Sequence, residues 1–175
     1  MCKGNKMIRM GLDGSTKSSG WCIFNDDKLI CYDKIVITDT ELTWRERIVI
    51  MMKEVSYIAV KHHVEELCVE IPVKSLANVN TLEQLFSLHG AMLGVASALH
   101  IKFTPVDVSA WRSFTGISEG IPKKTKDKRS IFKERSIKLA NELYDLNLEW
   151  RSKASKFNDD DISDAILIAH TVIHN

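Results

Sequence analysis

Three strand-like runs are packed into the first 37 residues, and the connections between them are too short to hold a helix. Residues 7–13, 21–24 and 29–37 carry the apolar side chains. The turns between them are Gly14-Ser15-Thr16-Lys17-Ser18-Ser19-Gly20 and Asn25-Asp26-Asp27-Lys28. Strands joined this tightly pair antiparallel, so the chain opens as a three-strand meander. The spacing then changes. Leu42, Ile48, Met51, Met52, Val55 and Ile58 recur at helical intervals and predict a helix over 40–63 that starts at Thr40. Residues 66–71 read as a fourth strand closed by Pro72. Asn80, with Glu83 three residues on, is a capping-box-like start for a helix to residue 100. Residues 102–106 form a fifth strand. Helical crossovers on either side of the fourth strand imply parallel neighbours. Asp107 opens a short helix holding Trp111 and Phe114. A loop over 117–126, a helix over 127–144, a polar stretch over 146–158 and a final helix over 160–173 complete the chain. The expected fold is α/β, a five-stranded mixed sheet of a three-strand meander plus two parallel strands, flanked by helices. Residues 1–175 are long enough to bury one core and are read as a single domain.

Charge enters through its distribution. The net charge is only +1, so the chain as a whole casts no field that would favour nucleic acid. Residues 123–138, however, hold eight basic residues against Asp127 and Glu134, a local net charge of +6. The basic residues are Lys123, Lys124, Lys126, Lys128, Arg129, Lys133, Arg135 and Lys138. The cysteines Cys2, Cys22, Cys31 and Cys68 are scattered without a C-x-x-C pair, as expected for free thiols in a reducing compartment. No run reaches transmembrane length and the first residues lack the apolar segment of a signal peptide. A cytoplasmic protein without membrane contact is expected.

Four acids stand where an acid is costly unless it is used. Asp13 ends the first apolar run, and Glu70 ends Leu67-Cys68-Val69. Asp161 and Asp164 open the apolar stretch Ala165-Ile166-Leu167-Ile168-Ala169. An Asp before Gly-Ser-Thr can serve a turn, and acids at a helix start are favoured by the macrodipole. Glu70 has no such local role, because a Glu at the end of a buried strand needs a partner. Asp161 and Asp164 are three apart and share a helix face that continues through Ile168 toward the core. Asp159 and Asp160 read as solvated or capping. Two strand ends and a helix start, each presenting a carboxylate, gather hard oxygen ligands suited to Mg²⁺. Such a gathering fits two-metal phosphoryl chemistry.

These residues, in this order, resemble the ribonuclease H-like nucleases and specifically the RuvC-type Holliday junction resolvases. Ile8 through Thr16 with Gly20-Trp21 looks like the family's first strand and turn. Cys68-Val69-Glu70 looks like its fourth strand with the second acid. Leu88-His89-Gly90-Ala91 stands where the family has a small-residue helix, and Val106 through Gly116 looks like the segment before the basic loop. Asp161-Ile162-Ser163-Asp164-Ala165 looks like its D-x-x-D-A. The pattern spans the chain and looks most like the short resolvases carried by phages of Gram-positive bacteria. The resemblance implies a ribonuclease H-like fold and a Mg²⁺-dependent endodeoxyribonuclease cutting four-way junctions as a homodimer, with other branched DNA as further substrates. It implies two Mg²⁺ ions about 4 Å apart, replaceable by Mn²⁺, with Asp13 bridging and Glu70, Asp161 and Asp164 completing the shells. The dimer would use the helix over 81–100. Lys123, Lys124, Lys126, Lys128, Arg129 and Arg112 are the candidates for DNA contact. No helicase partner is inferable.

Cellular members of that family carry an aromatic shortly after the second acid. Residues 71–80 have none. The long Lys-rich segment favours phosphate contacts, which do not read sequence. Recognition of branched shape is therefore expected. Trp44, Trp111 and Trp150 read as core or surface anchors rather than base-stacking platforms, with Trp111, beside Arg112, the best exception. Other classes remain open: a ribonuclease H or transposase-like nuclease with the same acids, a catalytically silent branched-DNA binder and, more distantly, an actin-like kinase. The histidines show no spacing with cysteines that would hold zinc.

Overall fold

The computed structural model describes residues 6–72, 78–122, 124–153, 155 and 157–175. Its strands are β1 (Ile8–Asp13), β2 (Ser18–Asn25), β3 (Lys28–Val36), β4 (Glu66–Glu70) and β5 (Lys102–Val106). Its helices are α1 (Trp44–Lys61), α2 (Val79–Ala98), α3 (Val108–Phe114), α4 (Lys128–Tyr144) and α5 (Asp160–His174). The sheet order is β3-β2-β1-β4-β5. β1, β2 and β3 pair antiparallel, whereas β4 runs parallel to both β1 and β5. This is the mixed five-stranded sheet expected from the connections.

Both faces of the sheet are covered. Met10 and Leu12 of β1 pack with Leu67 and Val69 of β4 against Met51 and Val55 of α1 and Leu88 and Met92 of α2. On the other face, Cys22 and Phe24 of β2 meet Ala165, Ile166 and Ala169 of α5. α5 lies so close to the sheet because two glycines permit it. A Cβ on Gly11 would collide with the Ala165 carbonyl, and one on Gly20 with the Asp161 carbonyl. The absence of those two side chains brings the start of α5 beside the ends of β1 and β2.

Several element starts differ from the expected ones. β2 begins at Ser18 rather than Trp21. Its polar first residues are paired: the Ser19 hydroxyl donates to the Ser15 carbonyl at 2.8 Å and Ser18 donates to Asp161 at 2.7 Å. α1 is capped by Thr43, not Thr40. Thr43 and Glu46 complete a reciprocal capping box that Thr40 cannot form, having Thr43 three residues on. α2 is capped by Asn78, whose Oδ1 accepts from the Thr81 N–H at 2.9 Å. Glu83 is thereby released from any cap and pairs with Arg45 of α1 at 2.7 Å. No helix among the described residues is long and apolar enough to cross a membrane.

Candidate active site

β1 and β4 are adjacent and parallel, with Leu12 opposite Val69. Asp13 and Glu70, the next residues of each strand, therefore leave the sheet side by side at the same edge. α5 begins over this edge and adds Asp161 and Asp164. All four acids line one cleft of about 740 Å³. Lys128, Arg129, Phe132 and Lys133 of α4 also line it, with Arg112 of α3 and with Leu88, His89 and Met92 of α2.

Three of the four carboxylates are each held by one neutral donor. The Trp111 indole N–H donates to Glu70 Oε2 at 2.7 Å. Ser18 Oγ donates to Asp161 Oδ2 at 2.7 Å, and Ser136 Oγ to Asp164 Oδ1 at 2.5 Å. Among the described residues, the Asp13 carboxylate accepts no hydrogen bond, and none of the four carboxylates forms an ion pair.

The electrostatics follow from this crowding. Burial, and then the charges of Asp164, Glu70 and Asp161, push the Asp13 carboxyl well above its ordinary range. Burial also raises Asp164 to about 6, aided by Glu70 and opposed by Ser136, Arg112 and Lys133. Glu70 is raised by burial and by Asp107, against the pull of Trp111 and Arg112. Glu66, on the same strand, is the contrast. It is only 1 % exposed, yet Arg9 at 2.8 Å and Lys102 at 2.7 Å neutralise it. Burial alone would raise it, but the hydrogen bonds from Lys102, Thr104 and Arg9 bring it below the usual carboxylate range. The chain compensates the buried Glu66 of β4 and leaves the half-buried Glu70 beside three more acids.

An uncompensated set of hard oxygen donors favours a small divalent cation. Each of Glu70, Asp161 and Asp164 keeps one oxygen outside the bonds just described, and Asp13 keeps both. As the side chains stand, no three His, Cys, Asp or Glu residues among those described converge closely enough to enclose an ion. The fit to Mg²⁺ therefore rests on donor chemistry and charge balance.

The basic candidates separate. Lys128, Arg129 and Arg112 line the cleft. Lys124 and Lys126 are exposed and lie outside its lining, and Lys123 lies outside the described residues. Arg112 stacks its guanidinium 4.8 Å from the Phe132 ring centroid and 5.1 Å from that of Trp111. Two further cations reach the cleft, Lys17 from the β1–β2 turn and Lys133 from α4. Lys133 belongs to the basic run; its spacing of four from Arg129, which puts both on one helix face, is the available signal.

Two expectations are corrected. Trp111 is wholly buried, so it offers no face to a nucleic-acid base. Its ring fills a cluster with Cys68, Val106, Ile117, Leu167 and Ile168. Asp160 is neither solvated nor a cap. It is buried and paired with Lys133, which fixes the start of α5 against α4. Asp159 is half-buried, accepting from Lys34 at 3.2 Å and from the Glu149 N–H at 3.0 Å.

No family model matches the chain, and no curated protein matches it by sequence. Solved structures match by fold. RuvC of Thermus thermophilus, in complex with Holliday junction substrate, superposes with a TM-score of 0.69 at 15 % identity, covering 94 % of this chain and 91 % of that one. The Fowlpox virus resolvase, in complex with Holliday junction DNA, gives 0.59 at 15 % identity, covering 95 % and 97 %. The yeast mitochondrial Holliday junction resolvase gives 0.60 at 15 % identity, covering 96 % and 78 %. The chain has the ribonuclease H-like fold of these proteins.

Proposed function

We propose that the chain is a structure-selective DNA endonuclease that resolves four-way junctions, and cuts other branched DNA, by metal-dependent phosphodiester hydrolysis. The observation that carries this is the meeting of Asp13, Glu70, Asp161 and Asp164, without ion pairs among the described residues, in a cleft walled by Lys128, Arg129, Lys133 and Arg112. The acids would hold Mg²⁺ and the cations would hold phosphates. The fold shared with three junction resolvases supports the choice of substrate, as do the ordered motifs that resemble phage resolvases of Gram-positive hosts. The reading takes the chain as a single nuclease domain working in the cytoplasm.

Asp13, Glu70, Asp161 and Asp164 would be the metal ligands. Two bound Mg²⁺ ions, with Mn²⁺ as substitute, would supply an activated water and stabilisation of the leaving 3′-oxygen. The chain's own contribution is orientation and charge. Ser18, Trp111 and Ser136 aim three carboxylates into the cleft. Arg112 and Lys133 offset part of the negative potential at Glu70, Asp13 and Asp164 without forming an ion pair with any of them. Lys128 and Arg129 face the space where a phosphodiester backbone would lie.

A homodimer belongs to the same reading, because two opposed nicks need two sites. α2 offers a surface for it. After Glu83 the helix carries no Asp, Glu, Lys or Arg, and Phe86 and Leu93 are exposed. Gly90 and Gly94 have open space where a Cβ would stand, so a second helix backbone could approach closely.

The test is a synthetic four-way junction, a linear duplex and an RNA–DNA hybrid of equal length, incubated with Mg²⁺. Junction cleavage by the wild type, abolished in Asp13→Asn with junction binding kept, supports the proposal. Selective cutting of the hybrid would make the chain a ribonuclease H, and junction binding without cleavage would make it a silent binder.

A further inference from the structure

We propose that Trp111 is a positioning residue for the Glu70 carboxylate, setting the affinity of the acidic cluster for its metal. The inference rests on the metal-dependent reading above. Trp111 sits in the middle of α3, a seven-residue helix that Asp107 caps by accepting from the N–H groups of Ser109 and Ala110. Its neighbours Cys68, Val106, Ile117, Leu167 and Ile168 are apolar or nearly so, and none of them needs an indole N–H. A phenylalanine or leucine would fill such a cluster. The N–H is a liability there, since a buried donor without a partner costs the full desolvation of the group. Its single acceptor among the described residues is Glu70 Oε2 at 2.7 Å.

Glu70 needs that hydrogen bond. It is the last residue of β4, paired with Val106 of β5, and the ladder fixes its backbone but not its three side-chain torsions. One hydrogen bond from a rigid, fully buried ring removes most of that freedom and leaves Oε1 for a ligand. The neutrality of the donor matters as much as its position. A lysine or arginine in the same place would cancel the charge a divalent cation needs. Arg112, the next residue, is turned instead onto the rings of Trp111 and Phe132 and forms no ion pair with Glu70 among the described residues. Ser18 and Ser136 repeat the arrangement on Asp161 and Asp164, each from a different element. Groups of this kind orient ligands, and their removal typically lowers metal affinity by about 10–100-fold.

The experiment compares wild type, Trp111→Phe and Leu139→Ala. Leu139 packs against the same cluster and is not among the residues that line the cleft, so its truncation controls for a loosened core. Mn²⁺ binding to the DNA-free protein is measured by titration calorimetry, beside junction affinity in Ca²⁺ and the Mg²⁺ dependence of cleavage. Trp111→Phe is expected to bind Mn²⁺ about tenfold more weakly or worse. Its half-saturating Mg²⁺ concentration rises by a similar factor, while junction affinity in Ca²⁺ stays within about threefold. Leu139→Ala lowers Tm and leaves Mn²⁺ affinity in place. Unchanged Mn²⁺ affinity in Trp111→Phe, or an equal weakening in Leu139→Ala, overturns the proposal. If Trp111→Phe does not fold, 3-benzothienylalanine at position 111 keeps the shape and removes only the N–H. If the wild type cuts no junction, the nuclease reading fails while the Mn²⁺ isotherms still decide the role of Trp111.

Discussion

Removing one charge from the acidic cluster should stabilise the metal-free protein, and Asp164→Asn is the sharpest case. Asp164 is 8 % exposed, and burial together with Glu70 holds its carboxyl at about 6 against an ordinary 3.8. At 1.36 kcal/mol per factor of ten, that difference penalises the charged native state by about 3 kcal/mol. The sign follows from proton binding. Between pH 3.8 and about 6 the native state holds the proton and the unfolded state has released it, so stability falls as pH rises. Below that window both states are protonated and there is no penalty; above it the penalty is constant. Asparagine carries no such penalty, and its carbonyl oxygen still accepts from Ser136. In EDTA at pH 7.5 the variant should therefore exceed wild type by up to about 3 kcal/mol, or roughly 6–12 °C in Tm for a chain of this size. The gap should close near pH 3.5. Saturating Mg²⁺ should raise the wild-type Tm more than that of the variant. Thermal unfolding by circular dichroism at the two pH values reads all of this. A variant no more stable than wild type at pH 7.5, or a gap that persists unchanged at pH 3.5, would refute the account of an uncompensated carboxylate cluster.

Two other outcomes are expected from the cleft walls. Replacing Lys128 and Arg129 with glutamine should weaken junction binding and reduce the slope of log K against log salt by about 0.9 for each phosphate that is no longer neutralised; a fluorescence-anisotropy salt titration with an unchanged slope would mean that this face of α4 does not meet the DNA. Because Trp111 is buried and residues 71–80 hold no aromatic, junctions with identical arms and varied central sequences should be cut at similar rates. A hundredfold preference, about 2.7 kcal/mol of discrimination in the transition state, would reveal base readout by another residue.

Local chemistry made much of the molecule readable in one dimension. Short connections dictated the antiparallel meander, since no helix fits between runs four to seven residues apart. Helical spacing marked α1 and a polar cap marked α2, and crossovers of that kind on either side of β4 required it to run parallel to its neighbours. Acids at the ends of apolar runs marked Asp13, Glu70, Asp161 and Asp164, because a charge beside a buried segment demands a reason wherever the chain goes. What lay beyond reach were choices among equivalent local options and the identity of distant partners. The cap of α1 is not one of these, since Thr43 has Glu46 three residues on, a capping-box spacing written in the sequence that Thr40 lacks. Asp160 and Asp161 are neighbours of the same type, yet α4 delivers Lys133 to one and β2 delivers Ser18 to the other, 143 positions away in the chain. Trp111 has the same composition around it whether it faces DNA or the core. Only the packing of α3 under α5 turned it inward and aimed its N–H at Glu70. Periodicity and charge are properties of neighbours along the chain and survive in the sequence. The partner of a hydrogen bond or ion pair is set by which backbones approach closely enough, and here that approach was decided by two glycines, Gly11 and Gly20, that let α5 settle onto the sheet.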